Sequence, residues 1–256
     1  MTDSDPVVAL VARMADLLRR LEDDGDPARF FLGTYLRTTR AVGTALAGGA
    51  FEDPEWVARW DVDFADLYLR AVENHRRAPD AVAEPWRLAL GADPSLPAEA
   101  HVLLGMNAHI NFDLPQSLVR MIGPADFADP GVLALRRRDH ERIDAVLAGR
   151  VAEEDVALQG AGGRRTALDR LLAPANRTAS RLFLRESRRT VWANASELHA
   201  ARMRGSDAYG ARLADLEAVS AARVRDLLRP GPVLLRLAVH GFGVPLPPPR
   251  DGDPPG

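Results

Sequence analysis

The chain has 256 residues, of which 46% are hydrophobic and 27% charged, and its formal net charge is −3. This composition is typical of a globular protein, and the near-neutral charge gives no support for a nucleic-acid or anionic-membrane partner. Cysteine and lysine are both absent, which excludes thiol nucleophiles, disulfides, thiolate metal sites, lysine Schiff bases and the lysine of a phosphate-binding loop.

Helix start signals recur along the chain. Four aspartates, each followed by a proline suited to the first helical position, predict helix N-termini: Asp5-Pro6, Asp26-Pro27, Asp53-Pro54 and Asp129-Pro130. With the 3.6-residue apolar period, they predict helices over 6–22, 27–47, 54–76, 81–90, 97–122, 130–149, 165–204, 207–229 and 232–240. Prolines within two of these helices predict kinks, at Pro115 and Pro174.

These elements predict an all-α fold, a multi-helix bundle of about eight or nine helices in one domain over residues 1–243. The Pro/Gly-rich residues 244–256 are expected to form a disordered tail. The N-terminal sequence MTDSDPVV has no signal-peptide pattern, and no apolar run approaches the roughly 20 residues of a membrane span. We therefore expect a cytoplasmic protein without a membrane partner.

The segment from His101 to Pro115, HVLLGMNAHINFDLP, carries polar residues in a helix that is apolar all round. Such a helix is normally buried, and buried polar groups need partners. His109 and Asp113 are four residues apart and share one face. They suit two roles, as joint ligands of one divalent ion or as a general base with the carboxylate that orients it. A buried hydrogen bond that only ties helices together is an equally weighted alternative.

Other polar residues fall on predicted apolar faces. Asp63 projects into the stripe that begins at Trp56, whereas Asp61 lies well away from that stripe. On the predicted helix over 130–149, Asp139 or His140 would reach a cavity beside His109. The favoured alternative for this helix is an inward aspartate paired with an arginine. Amides on two helices would line a polar pocket and orient a substrate: Asn107, Asn111 and Asn194.

The first functional hypothesis is a small-molecule enzyme that performs metal-assisted hydrolysis, with His109, Asp113 and Asp63 as catalytic residues. One zinc, manganese or iron ion would be held by a set of four residues: His101, His109, Asp113 and His140. The alternatives are a metal-free acid/base enzyme (an isomerase, lyase or cyclase) and a non-catalytic ligand-binding helical protein. No sequence pattern indicates a nucleotide cofactor, and the oligomeric state stays open.

At HINFDLP the sequence resembles an uncharacterised family of helical proteins from actinobacteria, which carry a near-identical H-I-N-[FY]-D-L-P segment. The resemblance extends to FLGTYLRTTRAV, FEDPEWVARWDVDFADLYL and DHERID, and covers residues 27 to about 230. It implies a helical fold and no particular activity.

A looser likeness concerns the spacing of His109 with Asp113 and of His140 with Asp144. It is similar to the H-x-x-x-D and H-x-x-x-E pairs of all-helical zinc-dependent phospholipases C and single-strand nucleases. Those enzymes have more histidines after the first motif, where this chain has Pro115, Gln116 and Ser117. The likeness therefore implies one metal ion at most.

Overall fold

The computed structural model describes residues 5–143, 146, 177–231 and 241–248, with the backbone alone for 177–188. This part of the chain is all-α and contains no strand, as the sequence predicts. The helices are α1 (Pro6–Asp23), α2 (Ala28–Ala47), α3 (Pro54–Arg77), α4 (Glu84–Leu90), α5 (Ala98–Ala108), α6 (Leu114–Met121), α7 (Pro124–Ala128), α8 (130–143), α9 (Arg177–Arg204) and α10 (Ser206–Leu228). A 3₁₀ turn, Pro79–Ala81, precedes α4.

The helix starts follow the Asp-Pro signals. In all four pairs the aspartate carboxylate accepts a hydrogen bond from a backbone N–H of the first helical turn. These bonds satisfy N–H groups that have no partner within the helix. At the other end, α9 stops before Gly205, whose φ of 126° is a conformation that favours glycine. Local sequence therefore determines these five helix boundaries.

The segment predicted as one helix over 97–122 lies at the centre of the bundle. It forms α5, then one wide turn, His109–Asp113, and then α6. α5 packs against α2, α4 and α10, whereas α6 packs against α3 and α9. Contacts on several sides explain why this helix shows no solvent-facing stripe in the sequence.

Two predicted features lie outside the described residues, namely the helix over 232–240 and the kink at Pro174. The start of the expected tail differs from the prediction. Residues 241–248 lie against the bundle without forming a helix, and Val244 is buried. Residues 249–256 are outside the part of the chain that the structure describes.

Among the helices described, none has an apolar stretch long enough to cross a bilayer.

Candidate functional site

The side chains of His109 and Asp113 are in contact at the centre of the bundle. His109 Nδ1 lies 2.9 Å from Asp113 Oδ2, and the two side chains are 3% and 2% exposed. The indole N–H of Trp86 donates to the same carboxylate oxygen, also at 2.9 Å. Since Oδ2 already accepts from Trp86, it acts as an acceptor, and we assign the shared proton to Nδ1 of His109. The Nε2 atom then carries the lone pair.

The pair is held by a π-helical turn, His109–Asp113, which we call the π-turn. Its signature is the bond from the Leu114 N–H to the His109 carbonyl, five residues earlier. Pro115 is the physical cause, because it has no N–H and its ring would collide with the Asn111 carbonyl in a regular helix. The kink expected at Pro115 is thus replaced by one wider turn, a feature found frequently at functional sites.

Five aromatic rings surround the imidazole of His109, and we call them the aromatic cage. Phe64 is stacked on it, with ring centroids 3.7 Å apart and planes 3° apart. The Tyr35 ring stands edge-on at 4.7 Å. The remaining members each have a centroid 5.9 Å away: Phe31, Tyr68 and Trp86.

The aromatic cage is missing from the sequence prediction, in which Tyr68 has no role. The residue pairs Phe31/Tyr35 on α2 and Phe64/Tyr68 on α3 are each four apart. Four-residue spacing places two rings on one helix face. That spacing is the signal that could have indicated an aromatic wall.

Burial dominates the electrostatics of the pair. It lowers the pKa of His109, although the hydrogen bond and the charge of Asp113 act in the opposite direction. It also raises the pKa of Asp113, against the hydrogen bonds from His109 and Trp86. His109 is therefore a neutral imidazole at pH 7, with a free lone pair on a ring that solvent does not reach.

Several buried polar atoms in this region have no hydrogen-bond partner within the described residues: His109 Nε2, Tyr35 Oη, Asp61 Oδ2 and Trp60 Nε1. Burial raises the pKa of Asp61 to about 7. Asp61 is close enough to Tyr35 for its charge to raise the pKa of that phenol further, after burial. Unpaired buried groups are uncommon in native proteins, and functional sites are one place where they occur.

The structure reverses the predicted placement of Asp61 and Asp63. Asp61 is 6% exposed and lies on the inner row of α3 with Val57, Tyr68 and Val72. Asp63 lies at the edge of the bundle, with its side chain 23% exposed. Its carboxylate accepts hydrogen bonds from Ser117 and Arg120, so the structure does not bring the predicted catalytic Asp63 to His109. The predicted placement was wrong because the buried face of α3 extends from Trp56 toward Val57 and Asp61, on the side away from Asp63.

The predicted metal set is not assembled. No group of three or more His, Asp or Glu side chains in the described ranges has a geometry that could hold an ion. The ring of His101 stacks on Phe30, with centroids 5.9 Å apart. His140 Nδ1 accepts a hydrogen bond from the Trp192 indole N–H at 3.2 Å. Both histidines therefore sit in environments separate from the His109–Asp113 pair. Asp144 lies outside the described residues.

Asp139 is a structural group rather than a companion of His109. It is fully buried and its two oxygens accept the backbone N–H groups of Glu52 and Asp53, each at 2.8 Å. Arg142 forms an ion pair with it at 3.0 Å. Asp139 thus anchors the entry to α3, in agreement with an inward aspartate paired with an arginine.

The three predicted substrate-binding asparagines have different surroundings. Asn107 is fully buried, and neither atom of its amide has a hydrogen-bond partner in the described chain. Asn111 and Asn194 instead bind the backbone of residues 242–246. The structure thus assigns these two amides to the chain itself.

A small cavity lies behind the aromatic cage. Its volume is about 10 Å³, roughly the space of one water molecule. Its walls include the rings of His101, Phe31, Tyr68 and Trp86. The last three rings also belong to the aromatic cage, so part of the cage wall borders a void.

Residues 7–230 match the model of a family of unknown function, DUF5995. The chain belongs to this family. The match includes the π-turn and all five residues of the aromatic cage. No curated protein and no solved structure matches the chain.

Proposed function

We propose that this chain is a small-molecule enzyme that transfers protons, with His109 as the general base and Asp113 as the residue that orients it. The observation that carries the proposal is the unpartnered Nε2 of a buried histidine whose Nδ1 is held by a carboxylate. A general base needs a free lone pair in a fixed direction and a neutral form at the working pH. The lowered pKa of His109 supplies the neutral form.

The surroundings of His109 favour a small and largely apolar substrate. The wall facing the imidazole is aromatic, which suits a flat organic molecule. The Tyr35 hydroxyl, whose pKa is raised, stays protonated and can donate a hydrogen bond to a substrate oxygen. Asp61, with a pKa of about 7, can return a proton. These groups suit isomerisation, elimination or cyclisation beside a carbonyl.

Metal-assisted hydrolysis has less support. Its ligand set would consist of His109 and Asp113 alone, since His101 and His140 contact other parts of the bundle. In addition, Nδ1 of His109 and Oδ2 of Asp113 are directed at each other. We therefore favour acid/base chemistry by the chain's own side chains.

The competing class is a non-catalytic helical protein in which the same pair fixes the packing of helices. The close stack of Phe64 on His109 favours that class, because a ring at 3.7 Å leaves no room for a substrate on that side. The two classes differ in whether a small molecule can reach Nε2. In the catalytic class Phe64 moves aside, as its partial exposure permits.

Diethyl pyrocarbonate, which acylates neutral imidazole nitrogens, tests access to Nε2. We expect the native protein to be modified at His109, and faster modification in Phe64→Ala, as measured by peptide mass mapping. The partly exposed His75 is the internal control. Modification of His75 with no modification of His109 in either protein would favour the non-catalytic class.

Hydrogen–deuterium exchange tests the base itself. The protein is incubated in D₂O with cyclic and open-chain ketones, and loss of the proton beside the carbonyl is followed by NMR. We expect exchange above the buffer rate that disappears in His109→Gln, because glutamine lacks a basic nitrogen. Equal exchange in the two proteins would remove His109 from the role of base.

A further inference from the structure

Residues 241–248, which we call the C-terminal strap, are bound by two asparagine side chains. The Asn111 amide donates to the Phe242 carbonyl and accepts from the Val244 N–H, both at 3.1 Å. The Asn194 amide donates to the Val244 carbonyl at 2.8 Å and accepts from the Leu246 N–H at 3.0 Å. Each side-chain amide thus pairs with the strap as a neighbouring strand would, at alternate residues.

The sequence of the strap fits this pattern. The N–H groups that donate to the asparagines belong to Val244 and Leu246. Pro245 and Pro247 alternate with them, so the N–H that proline lacks is not needed at those positions, and the rings favour an extended backbone. Arg223 adds a hydrogen bond to the Gly241 carbonyl. The strap is therefore a specific docked segment rather than a loose end.

Asn111 connects the strap to the candidate site. It lies in the π-turn, two residues after His109 and two before Asp113. Its side chain reaches the strap, whereas His109 and Asp113 contact each other within the aromatic cage. The π-turn has less regular hydrogen bonding than an α-helix. A bond from its middle residue, Asn111, to the strap therefore restricts the positions of His109 and Asp113.

We propose that the C-terminal strap positions His109 and Asp113 by holding the π-turn through Asn111. Asn111 is then a positioning residue, and Asn194 fixes the far end of the strap. The contribution to catalysis rests on the proposed function, whereas the coupling between strap and π-turn does not.

Val244→Pro tests the coupling in the full-length chain, because it removes the backbone N–H that donates a hydrogen bond to the side-chain oxygen of Asn111. Val244→Ala is the matched control, since it trims the side chain and keeps that N–H. Two NMR signals report on the π-turn. One is the His109 ring protons, which the stacked Phe64 shifts upfield. The other is hydrogen exchange of the Leu114 amide, which closes the turn.

In Val244→Pro we expect the His109 signals to move downfield and the Leu114 amide to exchange about fivefold faster, the effect of one lost hydrogen bond. Val244→Ala should change both much less. Asn194→Ala, which removes two hydrogen bonds to the strap from a residue outside the π-turn, should shift the His109 signals in the same direction as Val244→Pro. Ser196→Ala, on the same helix but with its hydroxyl donating to the Trp192 carbonyl, should leave them unchanged.

Equal effects of Val244→Pro and Val244→Ala would overturn the proposal, because packing rather than the bond to Asn111 would then hold the turn. Wild-type His109 signals in both Val244→Pro and Asn194→Ala would overturn it as well. Neither readout needs a substrate. The two proposals can therefore fail independently. The coupling can hold even if His109 is not a general base, and His109 can be a general base even if the coupling is absent.

Discussion

Phe64 lies flat on the imidazole of His109, with ring centroids 3.7 Å apart. The stack excludes water from one face of a titratable ring, and burial is the largest cause of the lowered pKa of His109. Phe64 is itself only partly buried. Phe64 therefore both removes water from His109 and is itself partly exposed to solvent. The lowered pKa of the imidazole thus depends on the position of this one side chain.

Replacement of Phe64 by alanine should destabilise the fold by about 2 kcal/mol, less than the 3–5 kcal/mol typical of a fully buried phenylalanine. Phe64→Leu should cost about 1 kcal/mol, because it fills most of the space without the stack. Urea unfolding measures both values. A loss of 4 kcal/mol or more in Phe64→Ala would mean that the ring is a core residue and unsuited to open the site.

The Asp113 carboxylate has two buried donors to satisfy, the N–H groups of His109 and Trp86. Asp113→Asn keeps an oxygen that can accept both, so we expect a loss of about 1–2 kcal/mol. Asp113→Leu leaves both donors unpaired and should cost about 4 kcal/mol. Urea unfolding of the two variants gives the comparison. A leucine variant more stable than the wild type would show that the buried carboxyl group is a net cost to folding.

The fold was largely predictable because its signals are local. Asp53 caps α3 from the position next to it, and Gly205 ends α9 at the residue after it. The π-turn was predicted only as a kink, because Pro115 shows that a regular helix is broken and does not show how the backbone accommodates the break.

The candidate site was predictable only where its members are neighbours in sequence. The contact of His109 with Asp113 follows from their four-residue spacing. The partners of Asn111 and Asn194 are 131 and 50 residues away along the chain, and no local pattern indicates contacts over such separations. Asp61 was missed because its burial depends on how α3 rotates against α2, which the tertiary packing decides.

Asp61 gives folding a pH dependence. Its pKa is raised to about 7, so between about pH 4 and pH 7 the folded protein keeps a proton that the unfolded chain releases. The free energy of unfolding should therefore fall as the pH rises through this range, by about 1.4 kcal/mol per unit. Asp61→Asn is neutral at every pH and should be more stable than wild type at pH 8, with the gain vanishing below pH 4. If the difference in free energy of unfolding between Asp61→Asn and wild type does not change with pH, the pKa of Asp61 is not raised.

His109 should act in the opposite direction. Its pKa is lowered by burial, so below about pH 6.5 the unfolded chain takes up a proton that the folded protein does not. This group therefore lowers the free energy of unfolding as the pH falls. His109→Gln removes that contribution and should gain stability relative to wild type between pH 8 and pH 5, as measured by urea unfolding at both pH values. A relative loss at pH 5 would mean that Asp113 stabilises the imidazolium.

Two helical glycines offer a matched test of the aromatic cage. A Cβ on Gly105 would lie 2.5 Å from Phe31 Cγ, whereas a Cβ on Gly210 would meet nothing within 4 Å. In an open helix position, glycine to alanine stabilises by about 0.5–1 kcal/mol, and we expect this gain in Gly210→Ala. In Gly105→Ala the collision displaces Phe31, and overpacking of this kind costs about 1–3 kcal/mol, so the variant should be less stable than wild type. The shifted ring should also move the His109 proton signals, since Phe31 is part of the cage around that imidazole. If Gly105→Ala and Gly210→Ala stabilise the protein equally, Phe31 can shift away from α5 without a loss of stability.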